Sequence, residues 1–126
     1  MCKKLAIILS LILLNTPAIV AEQSIQQNPI QDRAILAKEY FNIGSSFLRL
    51  KKYHEAIENF DIAIKYDPSY ASAYNSKGIA LADLGKSLEA VENYDLAIKY
   101  NPSYAGAYIN KAVSYRKLRK TEEAII

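Results

Sequence analysis

Glu55 to Tyr74 reads EAIENFDIAIKYDPSYASAY, and 34 positions further on Glu89 to Tyr108 reads EAVENYDLAIKYNPSYAGAY. Fifteen of the twenty aligned positions are identical, and four of the five changes conserve size or polarity. Composition cannot produce such agreement. The chain contains an internal repeat of 34 residues, and that period sets the frame in which every other residue is read.

Working outward, the same shift links Tyr40, Tyr74 and Tyr108; Gly44, Gly78 and Ala112; Phe47, Leu81 and Tyr115; and Ala56, Ala90 and Ala124. Three copies are therefore expected, at 37–70, 71–104 and an incomplete 105–126. In the second copy Tyr74, Gly78 and Leu81 are spaced four and three apart and share one helix face, as do Ala90, Tyr94 and Ala97 on a following helix. Small Gly78 and Ala90 let the two backbones approach, while Tyr74 and Tyr94 supply apolar area and are expected to aim their hydroxyls at water. Gly85 is placed to end the first helix in the left-handed conformation, and Ser87 to cap the second. Pro68 and Pro102 lack an amide hydrogen and clash with a preceding turn, so they separate copies. Lys51-Lys52 and Arg116 to Lys120 are read as turns between helices. The expected fold is all-α, with helix-turn-helix repeats stacked as a short solenoid.

The first 21 residues differ from the rest. Lys3 and Lys4 precede an apolar run from Leu5 to Leu14, followed by Asn15-Thr16-Pro17 and small residues up to Ala21. This is the plan of a secretory signal peptide, with cleavage after Ala21 or Ala18. It implies export to a periplasm or the exterior. The alternative is an uncleaved anchor over 5–21, somewhat short of the roughly 20 residues a membrane span needs, which would make the protein a membrane-tethered structural or assembly factor. Residues 22–36, rich in Gln and Asn, read as a polar linker leading into the first helix.

Charge and cysteine content close several function classes. The formal charge is +3, but Lys3 and Lys4 belong to the leader, and from Glu22 onward 14 basic residues face 13 acidic ones. A near-neutral body with interspersed signs lacks the basic face that phosphate binding needs, so no nucleic-acid partner is expected. The tyrosines recur with the repeat and are read as packing, since base-stacking sites also need a basic groove. Cys2 lies in the leader, leaving the body without a disulfide, a thiolate metal site or a thiol nucleophile. His54 has no second ligand nearby in sequence, and Glu55/Glu58 and Glu89/Glu92 repeat with the unit on solvated helix faces. No catalytic residue, metal or cofactor is expected.

Tyr40, Ile43, Gly44, Phe47, Ala56, Phe60, Ala63 and Pro68 in the first copy resemble the pattern of the tetratricopeptide repeat family. Tyr74, Gly78, Leu81, Ala90, Tyr94, Ala97 and Pro102 do so in the second, with Lys77 departing at the aliphatic place. Tyr108, Tyr115 and Ala124 do so in the third, with Lys111 and Ala112 departing. The resemblance implies a right-handed superhelix that acts as a protein-protein interaction module and holds a peptide or partner helix on a concave face lined by the first helix of each pair. On this chain the matching surface comprises Lys38, Phe41, Asn42, Ser45, Asn75, Ile79, Ile109, Asn110 and Val113. A row of Asn beside apolar residues suits a peptide, whose backbone both donates to and accepts from side-chain amides. One subclass of the family binds acidic chaperone tails through Lys and Asn. Phe41, Ser45, Ser76, Gly106 and Asn110 stand at the matching places here, so no positive clamp is expected.

The third copy stops at Ile126, a few residues into its expected second helix, leaving an apolar edge without a polar closing helix. The expectations this raises are docking of the open edge on another copy or a partner, compensation at the other end by a helical segment near Gln31 to Leu36, or a chain that is a piece of a longer repeat protein.

Overall fold

A computed structural model describes residues 28–125. Its five helices are α1 (Pro29–Arg49), α2 (Tyr53–Tyr66), α3 (Ala71–Asp83), α4 (Ser87–Tyr100) and α5 (Ala105–Ile125). The leader and most of the segment read as a linker lie outside the described residues. The chain divides into compact units after Arg33, and the repeats belong to the second.

Helix α1 begins eight residues ahead of Ala37, so the end of the stretch read as linker is helical, including the Gln31 to Leu36 segment, where the alternative expectation is a helix. Pro29 suits a first helical position because its missing amide would go unbonded there, and the Gln31 amide donates to Asn28 Oδ1 at 3.4 Å, a side-chain cap.

The two turns within repeats are built alike. Lys51 (φ 59°) and Gly85 (φ 81°), 34 residues apart, both take the left-handed conformation. The Lys52 amide donates to Phe47 O and the Lys86 amide to Leu81 O, each at 2.9 Å, which closes the helix end in a Schellman arrangement. Ser87 does not cap α4. The cap residue is Lys86, which makes no side-chain cap bond, and Ser87 is already helical. Between repeats, Asp67 and Asn101 organise the turn. Asp67 Oδ1 accepts from the Ser69 amide and hydroxyl, and Asn101 Oδ1 from those of Ser103.

The third copy differs from expectation. Arg116 to Lys120 form no turn, and α5 runs unbroken to Ile125. Arg119 occupies the position of Lys51 and Gly85, where a left-handed residue with a Cβ costs about 1–2 kcal/mol. In the first copy the burial of Ala56, Phe60 and Ala63 on α2 offsets that cost. Thr121 to Ile125 stay exposed along the continued helix.

Packing follows the period. A Cβ on Gly44 would stand 2.8 Å from the Phe60 ring, and one on Gly78 would stand 2.5 Å from the Tyr94 ring. Only glycine admits these rings. Ala56, Ala63, Ala90 and Ala97 are fully buried, and Tyr40 stacks on Tyr66 as Tyr74 stacks on Tyr100, at 5.9 and 5.6 Å between centroids. The Tyr74 and Tyr108 hydroxyls donate to the carbonyls of Pro68 and Pro102 at 2.9 and 3.1 Å. Their hydroxyls therefore tie each repeat to the turn before it.

Tyr94 departs from its expected role in another way. It is 2% exposed, its hydroxyl faces the Ser114 side chain and not water, and burial raises its pKa above the ordinary 10.0 despite the lowering influence of Ser114. One repeat earlier the same two places hold Phe60 and Ala80, which meet in one apolar cluster. A ring without a hydroxyl faces a methyl, and a ring with one faces a hydroxyl.

The lysines that break the family pattern have a use. Lys77 Nζ lies 2.6 Å from Asp61, and Lys111 Nζ lies 2.6 Å from Asp95. Each pair joins the second helix of one repeat to the first helix of the next, and the hydrogen bond to Asp95 raises the pKa of Lys111.

Candidate functional site

The first helices of the second and third copies, α3 and α5, touch directly. That neighbourhood brings together Ile79, Asn110 and Val113 from the expected binding set. With Ala82, Asp83, Tyr94, Ser114 and Lys117 they line a cavity of about 130 Å³ between α3 and α5. Ile79, Ala82 and Val113 give apolar walls, Tyr94 and Ser114 are buried beneath, and exposed Asp83 and Lys117 place opposite charges at the mouth.

Asn75, expected at the surface, is 6% exposed. Its Nδ2 donates to the Tyr104 hydroxyl at 3.3 Å, and its Oδ1 accepts from Asn110 Nδ2 at 3.1 Å. A buried amide without partners costs roughly 1–3 kcal/mol, so this relay between repeats is what makes Asn75 tolerable there. Asn75 supports the surface from behind. Asn110 ends the relay and reaches the cavity.

Phe41, one repeat before Asn75, takes part in packing as well. Its ring lies 5.0 Å from Tyr70 and 5.8 Å from Phe60. Tyr70 and Tyr104 are themselves 34 apart, so an aromatic pair in one repeat becomes an amide-hydroxyl pair in the next. Burial, then the Asp67 carboxylate, raises the pKa of Tyr70. Ser45 is half-buried and its Oγ donates to the Phe41 carbonyl at 2.8 Å. Asn42 and Lys38 are exposed on α1. Ile109 is 64% exposed and lines, with Ala112, Val113 and Arg116, a shallower depression on α5.

Sequence reasoning missed Tyr104, Ser114, Asp83 and Lys117. For Tyr104 a signal existed, because the same shift that turns Phe41 into Asn75 leaves its partner position a tyrosine. Among the described residues no three His, Cys, Asp or Glu side chains are placed to hold a metal, and no helix is long and apolar enough to cross a membrane. Tyr108 and Tyr115, equivalent to half-buried Tyr74 and buried Leu81, are 49% and 52% exposed, with no second helix over them among the described residues.

No curated protein matches the sequence. Among solved structures, the chain is similar to the second TPR of Spaghetti (RPAP3), solved with the HSP90 peptide SRMEEVD. Identity is 26%, the TM-score 0.70, and the match covers 77% of this chain and 89% of that one. The first TPR of the same protein, solved with the same peptide, is 27% identical with a TM-score of 0.67 over 72% of this chain and 74% of that one. The TPR2B domain of yeast Sti1, in complex with a pHsp70 segment, is 27% identical with a TM-score of 0.66 over 71% and 72%. A TPR repeat profile matches residues 44–85 and a tetratricopeptide repeat profile residues 77–126. With the period, the glycine-ring contacts and the stacked helix pairs already described, these matches establish that the chain belongs to the tetratricopeptide repeat family.

Proposed function

We propose that the chain is a protein-protein interaction module that holds an extended peptide along the side formed by α1, α3 and α5, and that it is not an enzyme. The observation that carries this reading is the cavity between α3 and α5, where Ile79, Asn110 and Val113 converge, with Ile109 exposed on α5 and Asn42 exposed on α1. The similar TPR domains solved with HSP90 and pHsp70 peptides support it. An acidic tail such as theirs is not the favoured ligand here, since the opposed Asp83 and Lys117 give the groove no positive clamp.

The test is a pull-down with the intact chain beside a variant carrying Asn42→Ala and Ile109→Ala, two exposed changes that leave the buried relay alone. A partner kept by the first and lost by the second supports the groove. Capture indifferent to both changes places binding elsewhere.

The leader supports a further element of the proposal, that the protein is exported to a periplasm or the exterior. The mature N-terminus is then Glu22 or Ile19, readable by intact mass of the protein recovered from its host. Full-length mass in a membrane fraction favours the tethered alternative.

Exposed Tyr108 and Tyr115 favour a second reading, self-association through α5. Sedimentation at increasing concentration should then show a dimer that Ala112→Glu abolishes, and a monomer throughout overturns it.

A further inference from the structure

We infer that the cavity between α3 and α5 receives one aliphatic side chain of an extended, uncharged peptide segment, and that Asn110 Oδ1 accepts the main-chain N–H beside it. This rests on the groove reading above and names its ligand. The cavity holds about 130 Å³ and opens to solvent, room for one Val, Leu, Ile or Met side chain. Its walls are Ile79, Ala82 and Val113, and its mouth carries one positive and one negative side chain, Lys117 and Asp83. A charged guest meets a like charge at that mouth and gains no net field, whereas an aliphatic guest keeps its burial.

The relay behind the cavity fixes the other contact. Tyr104 Oη accepts from Asn75 Nδ2, and Asn75 Oδ1 accepts from Asn110 Nδ2, so one N–H of the Asn110 amide is committed inward. One N–H of that amide is used in this bond; its Oδ1 is left at the cavity lining as an acceptor for a peptide N–H, with the second N–H beside it as a donor. Phe41 and Ile109 occupy the Asn75 position in the other repeats and cannot build the same relay. Among the described residues the relay occurs once.

The full chain is probed with an immobilised positional-scanning library of N-acetylated, C-amidated heptapeptides, whose blocked ends remove terminal charge as a handle. The native chain should enrich Val, Leu, Ile or Met at one position. Ile79→Ala, which enlarges the cavity, should move that preference to Phe. Val113→Trp, which fills it, should weaken capture of the enriched peptides about tenfold or more. Circular dichroism of both variants, taken well below their melting points, verifies that they are folded. If peptides are captured but the preference is the same in all three proteins, the cavity assignment falls while the groove reading stands. If the native chain captures no peptide, both fall.

Discussion

Phe60 faces Ala80 and Tyr94 faces Ser114, so the hydroxyl is present on both sides of the contact or on neither. The physical reason is that a buried hydroxyl left without a partner costs about 1–3 kcal/mol, whereas removing both partners is close to neutral. Tyr94→Phe alone should therefore lower stability by about 1 kcal/mol, and Tyr94→Phe with Ser114→Ala should recover most of it in a urea-melt double-mutant cycle. Asn75→Ala breaks two bonds of the relay and should cost about 1–3 kcal/mol, while Asn42→Ala, exposed on the first copy, should stay within about 0.5 kcal/mol. Urea melts of the two variants side by side check this. Equal effects would show that burial of Asn75 is not what distinguishes them.

Within the elements, the helix ends and the close approaches carry the energy. Lys51 holds a left-handed φ of 59° where Gly85 holds 81°, so Lys51→Gly should stabilise by up to about 1 kcal/mol and Gly85→Ala should destabilise by about 1–2 kcal/mol. Gly78→Ala should cost about 1–3 kcal/mol because the new methyl meets the Tyr94 ring, which cannot retreat from a buried cluster. Melting temperatures of the three variants read all of these. The spacing of Gly78, Leu81, Ala90 and Tyr94 made the helix pair and its closest contact legible in the sequence, since both are local and periodic. The unbroken α5 was not legible, because whether Arg119 turns depends on what the following helix can bury, a tertiary quantity. Ser87 looked like a cap on local preference, but the chain enters the helix one residue earlier. Asn75 looked like a surface amide because its repeat mates Phe41 and Ile109 say nothing of its burial, which is decided by Tyr104 in the next copy. The cavity needed both neighbours at once, and only Ile79, Asn110 and Val113 of its lining were readable from one helix alone.

For the whole molecule, the tyrosines set the response to alkali. Burial is the first cause that raises Tyr70, Tyr74 and Tyr94 above 10.0. Above that pH the unfolded chain loses phenolic protons that the folded chain keeps, so unfolding is favoured as pH rises. The stability these groups contribute is complete below pH 10 and is lost as pH climbs through their folded values. The melting temperature should hold level to about pH 10 and then fall, with a shallower fall in Tyr94→Phe/Ser114→Ala. A parallel fall in that variant would assign the effect to other groups. The matched contacts between repeats also define where the chain can be recombined. Phe60 belongs with Ala80, Tyr94 with Ser114, Asp61 with Lys77 and Asp95 with Lys111, so the transferable block runs from a second helix through the following first helix, 53–86 or 87–120. A lengthened array made by duplicating such a block keeps every one of those partnerships inside a single piece of sequence. One joined at the proline turns divides them, and can leave a tyrosine hydroxyl sealed against a methyl.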